Sequence, residues 1–182
     1  MRATMLAHEI VERYLDALLD VPDIWNKFPS SPAWRPEVNR ALVTAGLHAF
    51  PAPALDAGYH DTSQRSESLA LDVCIADLAS WGPPRFIAEH VSAPRRASIQ
   101  YSAWKLLATR TERRVLVAYS GAKSDVRDRA AIESAVREVC VANPGKSAPK
   151  DIVVVSADIN ARPSSAKELR EIFVHSIVGK MA

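Results

Sequence analysis

The chain opens on an amphipathic pattern. Leu6, Ile10, Val11, Tyr14, Leu15 and Leu18 recur at three- and four-residue steps, which predicts a helix with one buried stripe. The stretch "VPDIWNKFPSSPAW" then breaks the pattern with Pro22, Pro29 and Pro32 and reads as a linker, with Trp25 and Phe28 to pin it down. The expected organisation is therefore an N-terminal helix and linker, residues 1–33, packed on a core domain of residues 34–182. "RPEVNRALVTAGLHAF" predicts a second helix, with Pro36 in its first turn and Gly46 at its end.

Shorter periods follow. "PALDAGYHD" reads as a short strand, and Ser68–Asp77 and Arg85–Ser92 read as strands by length, alternation and the bounding turn "WGPP". "PRRASIQYSAWKLLATR" predicts a helix opened by Pro94, with Ile99, Ala103, Leu106 and Leu107 toward the core. "RRVLVAYS" and "KDIVVVSAD" are continuous apolar runs, as expected of strands covered on both faces. Between them "SDVRDRAAIESAVREVCVA" predicts a helix with Ser124 as its cap, ending near "NPG", and "SSAKELREIFVHSIV" predicts a last helix. The order α, α, β, β, β, α, β, α, β, α implies an α/β domain with a mixed sheet flanked by helices.

Composition narrows this only slightly. The 182 residues are 48% hydrophobic and 24% charged with a net charge of +2, ordinary for a soluble domain and no argument by itself for a polyanionic partner. Cys74 and Cys140 sit in apolar runs without metal-ligand spacing, so buried free thiols are expected. No stretch approaches the roughly 18 apolar residues of a membrane span. Acids interrupt the first apolar run, so it is not read as a signal peptide. The expectation is a cytoplasmic chain with no membrane partner.

Candidate chemistry lies in "LALDVCI" and "RFIAEHV", where two apolar strands each carry an acid. Alternation places Leu71, Val73 and Ile75 on one face and Asp72, Cys74 and Ala76 on the other; Ile87, Glu89 and Val91 share a face of the next strand. If the strands pair antiparallel, Asp72 and Glu89 project side by side. Two close carboxylates repel, and a divalent cation with oxygen ligands relieves that. Taken singly, either acid also suits a strand end in solvent, or a pair with Arg65 or Arg85. His90 faces the other way and reads as a core or interface histidine. Tyr59, His60 and Asp61 are weak candidates for the mouth of such a cleft.

The segments "PEVNRAL", "LALDVCI", "RFIAEHVS" and "IQYSAWKLL", over roughly residues 35 to 120, occur in an order that resembles the core of the PD-(D/E)xK, or restriction-endonuclease-like, nuclease superfamily. The resemblance implies a restriction-endonuclease-like fold and hydrolysis of nucleic-acid phosphodiester bonds with Mg²⁺ or Mn²⁺. It would make Asp72 and Glu89 the metal ligands and Glu37 the helix acid. The family's lysine, two residues after the Glu, is here Val91, and Lys105 on the following helix is the replacement that the resemblance offers. Lys105 shares a helical face with Ser98, Tyr101, Ser102 and Thr109, which reads as solvated. Gln100 matches a position where some of these nucleases carry glutamine.

Arg95 and Arg96 would hold phosphate at that helix's start, where backbone N–H groups also favour anions. Arg110, Arg113, Arg114, Lys123 and Arg127 add scattered positive charge. The expected partner is nucleic acid, DNA foremost, and a homodimer through the apolar helix stripes is a further expectation. A restriction-endonuclease-like module that binds nucleic acid or protein without cleaving is the alternative. No phosphate-loop, nucleophile-elbow or zinc motif is present.

Overall fold

The computed structural model of the chain describes residues 2–29, 32–50, 55–59, 71–77, 83–143 and 151–179. Among the described residues, six helices and six strands follow one another as α1 (Arg2–Leu19), α2 (Ile24–Lys27), α3 (Trp34–Ala49), β1 (Leu55–Tyr59), β2 (Val73–Asp77), β3 (Phe86–Val91), α4 (Arg96–Ala108), β4 (Arg113–Ser120), α5 (Arg129–Ala142), β5 (Ile152–Asp158), α6 (Ala166–Ile172) and β6 (Val174–Val178). The strands form one sheet in the order β1-β2-β3-β4-β5-β6. β1–β2, β2–β3 and β5–β6 pair antiparallel, and β3–β4 and β4–β5 pair parallel. The parallel pairs need crossovers, which α4 and α5 supply. The chain is thus an α/β domain with a mixed sheet flanked by helices.

Strand alternation splits the core in two. Val73, Ile75, Phe86, Ala88, Val115, Val117, Tyr119, Val153 and Val155 face the side covered by α1, α2, α3 and α6. Ile87, Val91, Leu116, Ala118, Ile152 and Val154 face the side covered by α4 and α5. Ile10, Val11, Tyr14, Leu15 and Leu18 of α1 join the first of these clusters, so the N-terminal helix shares the core of the domain. The proline-rich stretch is not bare linker: it holds the short α2, whose Ile24 is buried, and Phe28, edge-on to Trp34, Tyr119 and Phe173.

Several sequence expectations shift here. The last helix ends at Ile172, and Val174–Val178 is strand β6. Leu169, Ile172 and Phe173 have helical spacing, but the β-branched tail gains more by pairing with the edge of β5. Gly46 lies within α3, which continues to Ala49. It is small because α3 lies directly on the sheet there: a Cβ would collide with Ile75 Cδ1 and come within 2.8 Å of Phe86 Cδ1. The cap of α5 is Asp128, which accepts from Ala131 N–H at 2.9 Å. Ser124 instead closes the preceding loop by donating to the carbonyls of Gly121 and Val126.

Leu71 does not share a face with Val73, because β2 becomes regular only at Val73; Leu71 packs in the α4–α5 cluster. Residues 68–70, His60, Asp61 and Arg65 lie outside the described residues, and nothing is described of the Tyr59 side chain. Among the described residues no helix is long and apolar enough to cross a membrane. Cys140 is buried and Cys74 half-buried, and neither is in a disulfide.

Candidate active site at the start of β2

Register brings the two acids together. Val73 pairs with Ala88, so the next step outward sets Asp72, in the bend before β2, opposite Glu89. The Asp72 amide donates to Glu89 Oε1 at 3.3 Å, and the His90 amide donates to Asp72 Oδ2 at 2.8 Å. Both acids are buried, Asp72 at 6% and Glu89 at 2% exposure. Carboxylates this deep persist only with charge partners and donors. The fold supplies both from helices on opposite faces.

From α3, Arg35 Nη2 reaches Asp72 Oδ1 at 2.6 Å. From α4, Ser102 Oγ donates to Glu89 Oε2 at 2.9 Å and Lys105 Nζ lies 2.7 Å from the same oxygen. Ser102 and Lys105 are three residues apart and so point the same way from the helix. The face of α4 that reads as solvated is in part the face laid against Glu89, and Ser102 and Thr109 on it are buried. Burial pushes the Glu89 carboxyl up and the Asp72 charge pushes it further, against the lowering effect of Lys105 and Ser102.

On the other face of β3, His90 is buried with Nε2 3.2 Å from Tyr119 Oη, which accepts from Trp34 Nε1 at 2.7 Å. Burial lowers the imidazole to about 4, with the Asp72 charge opposing and Arg35 assisting. His90 is therefore neutral near pH 7, and its buried Nδ1 has no hydrogen-bond partner. Adjacent residues at the start of α3 thus serve both halves of the site: Trp34 reaches Tyr119 and Arg35 reaches Asp72.

Of the sequence candidates, Asp72, Glu89 and Lys105 converge. Glu37 turns elsewhere and pairs with Lys27 at 3.5 Å and Arg40 at 2.8 Å. Arg96 pairs with Glu138 of α5, and Gln100 Nε2 donates to the same carboxylate at 2.8 Å. The Arg96 amide, at the α4 N-terminus, is taken by Asp125 Oδ2 at 3.1 Å, so an acid of the chain already occupies that anion site. Arg95 is exposed. Arg114 is buried and structural: Nε donates to Leu106 O at 2.7 Å and Nη2 to Thr109 O at 3.0 Å, closing the last turn of α4. The sequence reading missed Arg35 and Ser102. Ser102 was findable from its spacing to Lys105, whereas nothing local marks Arg35.

Among the described residues there is no group of three or more His, Cys, Asp and Glu able to hold a metal ion. Two adjacent carboxylates nevertheless suit Mg²⁺ or Mn²⁺, which take oxygen ligands and keep water or phosphate for the rest of their shell. Burial does most to raise the Glu89 carboxyl, and repulsion from Asp72, which such an ion would relieve, adds to it. No protein-family description, curated protein or solved structure matches the chain.

Proposed function

We propose that this domain is a metal-dependent nuclease of the restriction-endonuclease-like kind, hydrolysing phosphodiester bonds at Asp72, Glu89 and Lys105. The observation that carries the reading is Lys105 Nζ at 2.7 Å from Glu89, beside Asp72. An acid, acid and lysine set is assembled at one sheet end although Val91 stands where the lysine is expected. The order α3–β1–β2–β3–α4–β4 supports it as well, since it is the order of elements on which the resemblance rests.

Asp72 and Glu89 would hold Mg²⁺ or Mn²⁺, which when bound polarises the phosphate and acidifies water. The chain's own groups do the positioning. Arg35 and the His90 amide fix both oxygens of Asp72. Ser102 and Lys105 share Oε2 of Glu89, and the Lys105 ammonium there would orient water and offset charge that develops on phosphate oxygens. Neither Glu37 nor Gln100 is needed in this scheme.

A second reading has one specific observation behind it. All four carboxylate oxygens of Asp72 and Glu89 already have donors within the chain. An ion-pair network complete in itself suits a module that binds nucleic acid or protein without cleaving.

Cleavage of single-stranded DNA, duplex DNA and RNA, each with Mg²⁺ and with Mn²⁺, separates the two. Activity that Glu89→Ala and Asp72→Asn abolish, and that Lys105→Met lowers by roughly 10²-fold, supports the nuclease. No cleavage of any substrate, or equal cleavage by wild type and Glu89→Ala, removes it. Nucleic-acid binding in the absence of cleavage would leave the binding module.

A further inference from the structure

Arg35 Nε, Asn39 Oδ1 and His90 Nδ1 are buried and have no hydrogen-bond partner among the described residues. Asn39 and His90 are each 3% exposed. A buried polar group left in this way costs stability, and native folds rarely keep one without a bound water or ion. Arg35 and His90 already meet at one carboxylate: Arg35 Nη2 reaches Asp72 Oδ1, and the His90 amide donates to Asp72 Oδ2. Asn39 follows Arg35 by one helical turn, on the stripe of α3 that Gly46 continues onto Ile75 and Phe86. β3 runs the other way beneath that stripe. From Phe86 to His90 is about 13 Å of strand. From Gly46 back to Asn39 and to Arg35 is about 10 and 16 Å of helix. His90 therefore lies opposite the interval between Asn39 and Arg35, on the face of β3 that looks toward α3.

The partners of Tyr119 decide where the imidazole proton sits. Trp34 Nε1–H donates to Tyr119 Oη at 2.7 Å, and Tyr119 is fully buried. Its own O–H has His90 Nε2, at 3.2 Å, as acceptor. Nε2 is then bare, and the neutral imidazole carries its proton on Nδ1. The seam thus holds two donors, His90 Nδ1–H and Arg35 Nε–H, and one acceptor, Asn39 Oδ1. A water molecule accepts two hydrogen bonds and donates others, and a buried water typically makes about three. We infer that His90 Nδ1–H, Arg35 Nε–H and Asn39 Oδ1 form a binding site for one internal water between α3 and β3. The chemistry selects a neutral ligand. Two N–H donors repel a metal cation, and the Arg35 charge is already opposed by Asp72, which leaves little to hold an anion. Through the water Asn39 is a positioning residue: it steadies Nε of the guanidinium whose Nη2 holds Asp72. The site stands whether or not the acids bind metal or cleave.

A high-resolution crystal structure of the full chain, with ¹⁵N spectra of its histidine rings in solution, tests the site. A density peak should lie within about 3.2 Å of His90 Nδ1, Arg35 Nε and Asn39 Oδ1. At pH 7 the His90 ring should show Nδ1 protonated and Nε2 bare. Asn39→Leu keeps the bulk and removes the acceptor, so it should lose the peak and lower the melting temperature by a few degrees. The wild-type peak and tautomer decide the matter even if that variant does not fold. Protonated Nε2 in the wild type, no density in the seam, or a direct bond between Asn39 and His90 overturns the inference. So does a peak with the electron count of an ion, or one that Asn39→Leu leaves in place.

Discussion

Strand β3 buries an ionisable group on each face, and the two faces solve the problem in opposite ways. Glu89, toward α4, has a cation and a hydroxyl brought to it and still has its carboxyl pushed up by burial and by Asp72. His90, toward α3, meets only the Tyr119 hydroxyl at 3.2 Å and is kept neutral, its imidazole lowered to about 4 chiefly by burial. Nature of the neighbour decides which answer applies. α4 offers Ser102 and Lys105 at one helical step, while α3 and β4 offer Trp34 and Tyr119, rings with single polar tips. A charge is retained only where it is useful enough to be compensated, which is why the Glu89 face is the candidate for chemistry and the His90 face for packing.

Removing the compensation should have the largest effect. Lys105→Met leaves Glu89 buried without its cation, and urea unfolding at pH 8 should show a loss of about 3 kcal/mol. The Glu89 carboxyl sits above its usual range, so the folded state there binds more protons than the unfolded one and stability falls as pH rises. Without Lys105 the carboxyl rises further, so the deficit of Lys105→Met should shrink on acidification as Glu89 takes a proton. A deficit independent of pH would mean Lys105 acts through packing alone.

The His90 face should carry the opposite slope. Unfolded chain binds the imidazole proton near 6.5 and folded chain near 4, so stability falls as pH drops through that window. The contribution is about 3 kcal/mol across it. Urea midpoints measured from pH 7.5 to pH 4 should show the decline, and His90→Gln should flatten it. If His90→Gln keeps the slope, another group is responsible.

A smaller perturbation separates the faces mechanically. Gly46→Ala pushes α3 off Ile75 and Phe86 and should cost about 1–3 kcal/mol in thermal or urea unfolding. It acts on the side of Trp34 and Arg35 and leaves α4 seated, so the Lys105 dependence should persist in that background. The smallest effect is expected at Arg96. Its pair with Glu138 is partly exposed, and Arg96→Ala should change stability by less than about 1 kcal/mol in the same assay. A larger loss would mean the α4–α5 contact depends on that pair more than a surface ion pair allows.

The sequence by itself determined the element types wherever one period dominated. The runs of β4 and β5 could only be covered strands, the stripe of α1 only an amphipathic helix, and the acids of "LALDVCI" and "RFIAEHV" were visible as interruptions of apolar alternation. It set Asp72 beside Glu89 across neighbouring strands, but Asp72 lies in the bend before β2, where alternation does not fix a face, and its cation comes from α3 while that of Glu89 comes from α4. It could not distinguish a helix from helix plus strand in "SSAKELREIFVHSIV", since the choice depends on whether the edge of β5 is there to be paired. Nor could it say which cations reach the acids. Arg35 lies 37 residues from Asp72 and Lys105 16 from Glu89, and only the layering of α3 and α4 on opposite faces brings them in. Glu37 and Arg96 carry equally suitable charges, yet tertiary structure spends them on Lys27, Arg40 and Glu138. Residue type sets what a side chain can do; the packing of helices on the sheet decides which partner it meets, because charge and hydrogen bonding act only over a few ångströms.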